Sequence, residues 1–426
     1  MTDAVRRPPS TFYRWAVLIF ISLAMFGNYY VYDCVEPVAD LLTRQLGFTD
    51  ANIGLLQAIY SMPNVVMVLV GGILVDRMGV RKAILLFGTT CLIGAALTAS
   101  AGVLPVMAAG RLVFGMGAES LIVAITTAVA KWFRGRELSF AFGINLMIAR
   151  GGTWLAQNSP TWAKGAYASW RGPFLISVAF ATLCVIGALV YWAMESYAER
   201  HYELGQAAAT DKVVFKDLFH FGRSFWYVVG LCVVFYSAIF PFETFAVKYF
   251  QYAHGATLER AGFLLSILTM CTMFGTPLFG ALSDKVGKRA LLMTMGSVLL
   301  IPVYLMMAYT HVSLYVPMAM MGVAFSLVPA IMWPSVAYLV EQPKLGTAYG
   351  LMTMIQNIGL AGFNLAIGWA NDASHASAIN PDGYRTGMWI FSILGFLGVG
   401  FSFLLRQREM GPHGHGLETI TAGGKQ

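Results

Sequence analysis

Two short polar stretches most constrain this chain. Gly72-Ile73-Leu74-Val75-Asp76-Arg77-Met78-Gly79-Val80-Arg81 and Gly280-Ala281-Leu282-Ser283-Asp284-Lys285-Val286-Gly287-Lys288-Arg289 both read Gly-x-Leu-x-Asp-[Arg/Lys]-x-Gly-x-Arg. Their offset, 284 − 76 = 208 residues, is close to half of the 426-residue chain. Each copy follows one apolar run and precedes another. A polar turn with an acid, a tight-turn glycine and trailing bases, repeated at half-length, implies two related halves built from apolar segments.

Composition says where those segments reside. The chain is 58% hydrophobic and 12% charged, with a mean hydropathy of +0.66. A soluble domain carries about 25% charged residues, so this chain belongs in a membrane. Bulk apolar runs, without strand-like alternation, favour helices over a barrel. Runs near the roughly 20 residues a spanning helix needs occur at 15–39, 54–75, 83–102, 104–128, 138–160, 172–194, 225–249, 261–282, 290–309, 312–338, 346–369 and 386–405. The expectation is an all-α membrane protein of twelve transmembrane helices in two six-helix bundles. Residues 1–197 and 223–406 form the bundles, 198–222 a linker, and 407–426 a tail expected to be disordered.

Lys and Arg are distributed unevenly. With the N-terminus cytoplasmic, inside loops and tails hold 20 of them, outside loops 5, and spans the remaining 3, together the 28 of the chain. Positive charge accumulates on the cytoplasmic side, so both termini are expected there. The net charge of +7 and pI of about 9.1 then follow from topology, with no nucleic-acid partner. The five cysteines, Cys34, Cys91, Cys184, Cys232 and Cys271, lie inside apolar runs and read as packing residues. All seven histidines lie in loops, tails or span ends. No phosphate-cradling Gly-rich loop or His-Glu-x-x-His pattern is present; neither a cofactor, a metal nor an enzymatic role is expected.

Charges inside the bilayer are costly and mark function. The spans hold Asp33, Glu36, Arg111, Glu119, Arg150, Glu243 and Lys248. The fourth run centres near residue 116, so Glu119 lies roughly 4.5 Å past it at about 1.5 Å per residue. The fifth centres near 149, beside Arg150. Opposite charges thus fall near mid-membrane on consecutive helices, where transporter sites lie. They read either as a structural ion pair or as the two ends of a clamp for a zwitterion. Asn28-Tyr29-Tyr30-Val31-Tyr32-Asp33 clusters polar and aromatic residues, and Asp33 is a candidate proton site or gate. The 208-residue offset maps Asp33 to Pro241 and Glu36 to Thr244, with Glu243 between them, and Arg150 to Ile358 beside Asn357. Charge recognition is therefore concentrated in the N-terminal half.

The paired loops resemble the signature between the second and third helices of each half of a major facilitator superfamily transporter. Gly110-Arg111 through Gly117 resembles that superfamily's fourth-helix Gly-Arg motif, for which a structural or coupling role is expected. Tyr30-Val31-Tyr32-Asp33, Tyr60-Ser61-Met62-Pro63-Asn64, Gly117-Ala118-Glu119-Ser120-Leu121, Lys131-Trp132-Phe133-Arg134-Gly135-Arg136-Glu137-Leu138, Ala149-Arg150, Gly346-Thr347-Ala348-Tyr349-Gly350 and Gln356-Asn357-Ile358-Gly359 narrow it further. Together they resemble the lysosomal dipeptide transporter group and its bacterial relatives, departing from the animal members in Cys34-Val35. The resemblance implies the major facilitator superfamily fold and alternating access. It also implies that Glu119 holds a substrate's amino end and Arg150 its carboxyl end.

The expected substrate site comprises Glu119, Arg150, Tyr29, Tyr32, Asp33, Tyr60, Asn64, Tyr236, Glu243, Trp333 and Asn357. The expected gating set is Gly72, Asp76, Arg77, Gly79, Arg111, Gly280, Asp284, Lys285 and Gly287. The expected partners are a dipeptide or other small zwitterion and the lipid bilayer, with protons a further partner through Asp33, Glu36 or Glu243, the protein being a monomer. Compact length and short outer loops look bacterial, which implies the inner membrane. The alternatives are a proton-linked organic anion symporter or exchanger and, in another class, a non-transporting receptor or scaffold.

Overall fold

A computed structural model describes residues 9–133, 137–202, 221–341, 344–412 and 414–421. Arg134 and Arg136 of the loop block, most of the linker, His413 and Lys425 lie outside the described residues. The regular elements of the described residues are all helical: α1 (Thr11–Asp33), α2 (Ala39–Leu46), α3 (Asp50–Met78), α4 (Val80–Ser100), α5 (Leu104–Phe133), α6 (Leu138–Gln157), α7 (Ser159–Trp162), α8 (Arg171–His201), α9 (Arg223–His254), α10 (Leu258–Val286), α11 (Arg289–Tyr309), α12 (Tyr315–Leu339), α13 (Leu345–Ala373) and α14 (Arg385–Glu409), with short 3₁₀ turns between some of them. Among the described residues, eleven helical stretches are long and apolar enough to cross a membrane. The twelfth long helix, α6, is not among them; Asn145, Arg150 and Gln157 dilute its apolar content.

The chain divides into two compact units, one of Met1–Cys34, Val66–Ala156 and Arg171–Thr210, the other of Val35–Val65, Gln157–Trp170 and Asp211–Gln426. In the first, α4 packs along α5 and α8, and α1 along α8. Small residues allow the α4–α5 approach: a Cβ on Gly94 would sit 2.4 Å from the Phe114 amide nitrogen, and one on Gly110 2.4 Å from that of Thr98. In the second, α10 packs on α12, α11 on α12 and α14, and α9 on α13 and α14.

The signature stretches are tighter than loops. Asp76 and Arg77 remain inside α3, and Asp284 and Lys285 inside α10. Gly79 alone breaks the first pair of helices, at φ 84°; Gly287 at φ 68° and Lys288 at φ 46° break the second. Glycine carries positive φ without the steric penalty of a Cβ, which is why the pattern needs it three residues after the acid.

Three expectations change. The sixth span does not end near 194: α8 continues to His201, because Glu195 and Glu199, one turn apart, meet bases on neighbouring helices. The first span is interrupted: α1 ends at Asp33, and a 3₁₀ turn, Glu36–Val38, leads into α2. The tail is not disordered through Thr421, since Leu417 is fully buried and the described residues beyond Glu409 pack against α10, α11 and α14.

Candidate functional site

Burial divides the intramembrane charges into two kinds. Arg111 is 1% exposed, and its guanidinium donates to the Val31 carbonyl at 3.0 Å and the Tyr32 carbonyl at 3.3 Å. Those carbonyls belong to the last turn of α1, where helix geometry leaves acceptors unpaired and negative dipole accumulates. Arg111 therefore ties α5 to the end of α1. Glu119 on α5 and Arg150 on α6 are instead half-buried. Tyr29 of α1 lies beside Arg150, with its ring 5.6 Å from the guanidinium carbon. One unit thus carries a half-buried carboxylate on α5, a half-buried guanidinium on α6 and, beside the guanidinium, a phenol on α1. Tyr32 lies against Arg111, with its ring 5.7 Å from the guanidinium carbon.

The accessible positions of α1 from residue 23 onward, Leu23, Phe26, Tyr29 and Tyr32, recur every three residues, and residues 33–42 beyond them are wholly buried. In the second unit, Gly230, Val233, Tyr236 and Phe240 form the matching accessible stripe of α9, and residues 241–250 are wholly buried. The buried runs are related by 241 − 33 = 208, the offset of the signature loops. Asp33, Glu36 and Glu243 fall inside these runs. Glu36 accepts from Gln157 Nε2 at 3.1 Å, and Gln157 Oε1 accepts from Thr269 Oγ1 at 2.7 Å.

The remaining expected residues lie in the second unit. Tyr236, Phe240, Phe325, Trp333 and Tyr349 form an aromatic wall, in which Trp333 Nε1 donates to the Tyr236 hydroxyl at 2.9 Å and the Tyr349 hydroxyl to the Trp333 carbonyl at 3.1 Å. Asn357 donates to its own helix at Thr353, at 3.0 Å. Tyr60 is buried, and Asn64 is fully buried with neither amide atom hydrogen-bonded among the described residues.

A second polar centre surrounds Asp50. At the end of α3 away from its signature turn, Asp50 receives Lys248 Nζ at 2.5 Å and Asn371 Nδ2 at 2.9 Å, and Lys248 also donates to Thr43 Oγ1 at 3.0 Å. Asp372 caps α3, accepting from the Asp50 and Ala51 amides at 2.9 Å each. Tyr252 donates to Asp40 at 2.6 Å. This latch ties α2 and α3 to α9 and α13. Its one sequence signal was Lys248 inside an apolar run; its partners lie about 200 residues from it on one side and over 120 on the other, beyond what spacing reveals.

The signature residues also divide. Asp284 pairs with Arg289 at 3.1 Å. In the first unit Arg81 pairs with Glu199 at 2.9 Å and Glu195 at 3.5 Å, and Lys131 with Glu195 at 2.6 Å. Asp76, Gly79 and Arg81 border a cavity of about 360 Å³ there.

Twelve long helices among the described residues, twin signature turns and charged side chains within apolar helices are the marks of a membrane carrier. The sequence profile of the Major Facilitator Superfamily matches residues 21–364 and 246–419, and the chain belongs to that family. It is an integral, multi-pass membrane transporter rather than an enzyme. It is 33% identical over 375 residues to the lysosomal dipeptide transporter MFSD1 of Danio rerio, covering 85% of this chain and 81% of that protein. To the Homo sapiens protein of the same name it is 31% identical over 379 residues, covering 86% and 82%. A bacterial homolog of the human lysosomal transporter Spinster, solved in an inward-facing and unoccupied conformation, shares the fold with a TM-score of 0.75 at 17% identity, over 94% of this chain and 98% of that one. The nucleoside transporter NupG does so with a TM-score of 0.71 at 14% identity, over 91% and 98%.

Proposed function

We propose that the protein carries small zwitterions, dipeptides above all, by alternating access. The supporting observation is the half-buried state of the opposite charges Glu119 on α5 and Arg150 on α6, with Tyr29 beside Arg150. A carboxylate at Glu119 holds an ammonium group, and the planar fork of Arg150 holds a carboxylate through two parallel hydrogen bonds. Relatives sharing about a third of its residues are named dipeptide transporters, which favours a peptide over other zwitterions. Both termini and the linker face the cytoplasm in this reading, on the strength of the 20-to-5 distribution of bases. The membrane is a cell's inner membrane, although relatives are named lysosomal. Tyr236 and Trp333 offer aromatic contact surface in their own unit, and Asp33, Glu36 and Glu243 are the acids available for proton coupling. The carrier works as a monomer.

The test is uptake into proteoliposomes of free, N-acetylated and C-amidated forms of one dipeptide. Glu119→Gln removes the charge that an ammonium needs, so free-amine substrates lose more uptake than acetylated ones. Arg150→Lys keeps charge and loses the fork, so free acids lose more than amides. If well-folded variants keep the wild-type ratio of capped to free uptake, the clamp is wrong and the two charges only brace the helices. Loss confined to the Arg150 variant, on substrates without an amine, points to organic anions instead. Saturable binding without flux in the wild type marks a receptor.

A further inference from the structure

The second signature turn is held by a piece of chain that has no counterpart at the first among the described residues. The backbone amide of Lys288 donates to the Glu418 carbonyl at 3.3 Å, and that of Arg289 to the Leu417 carbonyl at 3.0 Å. The amide of Leu291 donates to the Glu418 carboxylate at 3.1 Å, so a tail side chain caps the first turn of α11. Arg289 donates to the Ile420 carbonyl at 2.7 Å, to Asp284 at 3.1 Å and to the Tyr338 hydroxyl at 3.2 Å. Leu417 is 0% exposed beneath this pairing. The root of the segment is fixed at Glu409, which accepts from Ser224 at 2.7 Å and from the His415 amide at 2.6 Å.

The first turn is built otherwise. Arg81 is the counterpart of Arg289, since 289 − 81 = 208, and its acids, Glu195 and Glu199, stand on α8. The same offset puts Glu195 at Phe403 and Glu199 at Gln407. The second half carries no carboxylate at either position: Arg289 pairs with Asp284 on α10, and the Glu418 carboxylate, from beyond α14, accepts from the Leu291 amide and lies 3.8 Å from Arg406. Because the segment leaves α14 after Glu409, it can detach without unfolding a spanning helix.

We propose that residues 414–421 are a regulatory strap. Docked, it immobilises the α10–α11 hinge at Gly287 and Lys288 and holds the carrier in the conformation whose Asp50–Lys248 latch is closed. Released, it frees the hinge and shifts the population toward the latch-open conformation. The proposal rests on the alternating-access reading.

The experiment uses the full chain in lipid nanodiscs, with Asn52→Cys in a Cys271→Ser background as reporter beside the latch. Leu417→Asp and, separately, Glu418→Lys release the strap; Lys288→Cys with Glu418→Cys ties it by a disulfide. Amide exchange at Lys288, Arg289 and Leu291 reports docking. Release is expected to speed that exchange and to raise maleimide labelling at position 52 by about fivefold or more, the lower end of typical allosteric couplings. The oxidised tie is expected to lower labelling below the untied chain, and reduction to restore it. Faster exchange with unchanged labelling would overturn the proposal and leave a structural staple. Unchanged exchange would overturn the docking itself. Asp50→Asn with Lys248→Met opens the latch directly; if labelling does not rise even there, alternation at this end fails and the strap proposal falls with it.

Discussion

Two arginines with the same chemistry sit in different surroundings, and burial separates them. Arg111 is 1% exposed with its donors spent on the carbonyls of Val31 and Tyr32; Arg150 is half-buried beside a tyrosine face. Replacing Arg111 by Lys keeps the charge but cannot span both carbonyls. The expected cost is about 2 kcal/mol, the scale of a charged hydrogen bond. It is read as a lowered melting temperature in detergent, with the capped-to-free uptake ratio unchanged. A ratio that moves would place Arg111 at the substrate instead. The sequence disclosed both residues, because arginine stands out in an apolar run. It disclosed the role of Arg111 only as far as its small-residue motif, since its partners are main-chain atoms of another helix and main-chain atoms leave no trace in residue type. Asn64 marks the same limit: the identity of an asparagine is legible, but its complete burial, with neither amide atom hydrogen-bonded among the described residues, is a property of packing.

Helices were legible where hydropathy alone decides them and misjudged where charge sustains them. Glu195 and Glu199 look like linker by polarity, yet α8 runs through both because Arg81 and Lys131 neutralise them. The tail misled for the same reason: Gly-rich composition signals freedom, while Leu417 and Glu418 find a receptor surface far away in sequence. The latch shows how such pairs act between elements. Lys248 and Asp50 are 3% and 2% exposed and 2.5 Å apart. Removing one member of a buried pair strands the other charge, at a cost of about 3–5 kcal/mol, while removing both is far cheaper. Lys248→Met is therefore expected to destabilise the folded chain strongly, and Lys248→Met with Asp50→Asn to recover most of the loss, by thermal unfolding of all three proteins. Additive losses would mean that the two side chains do not depend on each other.

At the scale of the molecule, the repeat reaches deeper than its motif. The signature turns recur at 208 residues, and so do the wholly buried runs 33–42 and 241–250, although Asp33 maps to Pro241 and few side chains agree. What is conserved between halves is the alternation of accessible stripe and sealed segment, a constraint on where a helix meets protein rather than on which residue it carries. That is why the pseudo-symmetry of the fold was readable while the latch and the strap, which each half builds differently, were not. A measurement of sidedness tests the proposed orientation. In the proposed topology the excess of Lys and Arg puts the signature end in the cytoplasm. His375, just past α13 at the latch end, and Thr419, in the strap, are both exposed. In the Cys271→Ser background, His375→Cys is expected to react with an impermeant maleimide on intact cells, and Thr419→Cys only after the membrane is permeabilised. The reverse pattern would invert the carrier, place the strap outside, and turn a segment proposed to answer to the cytoplasm into one that answers to the medium. Equal labelling of both sites on intact cells would break the even number of spans that two matched halves require.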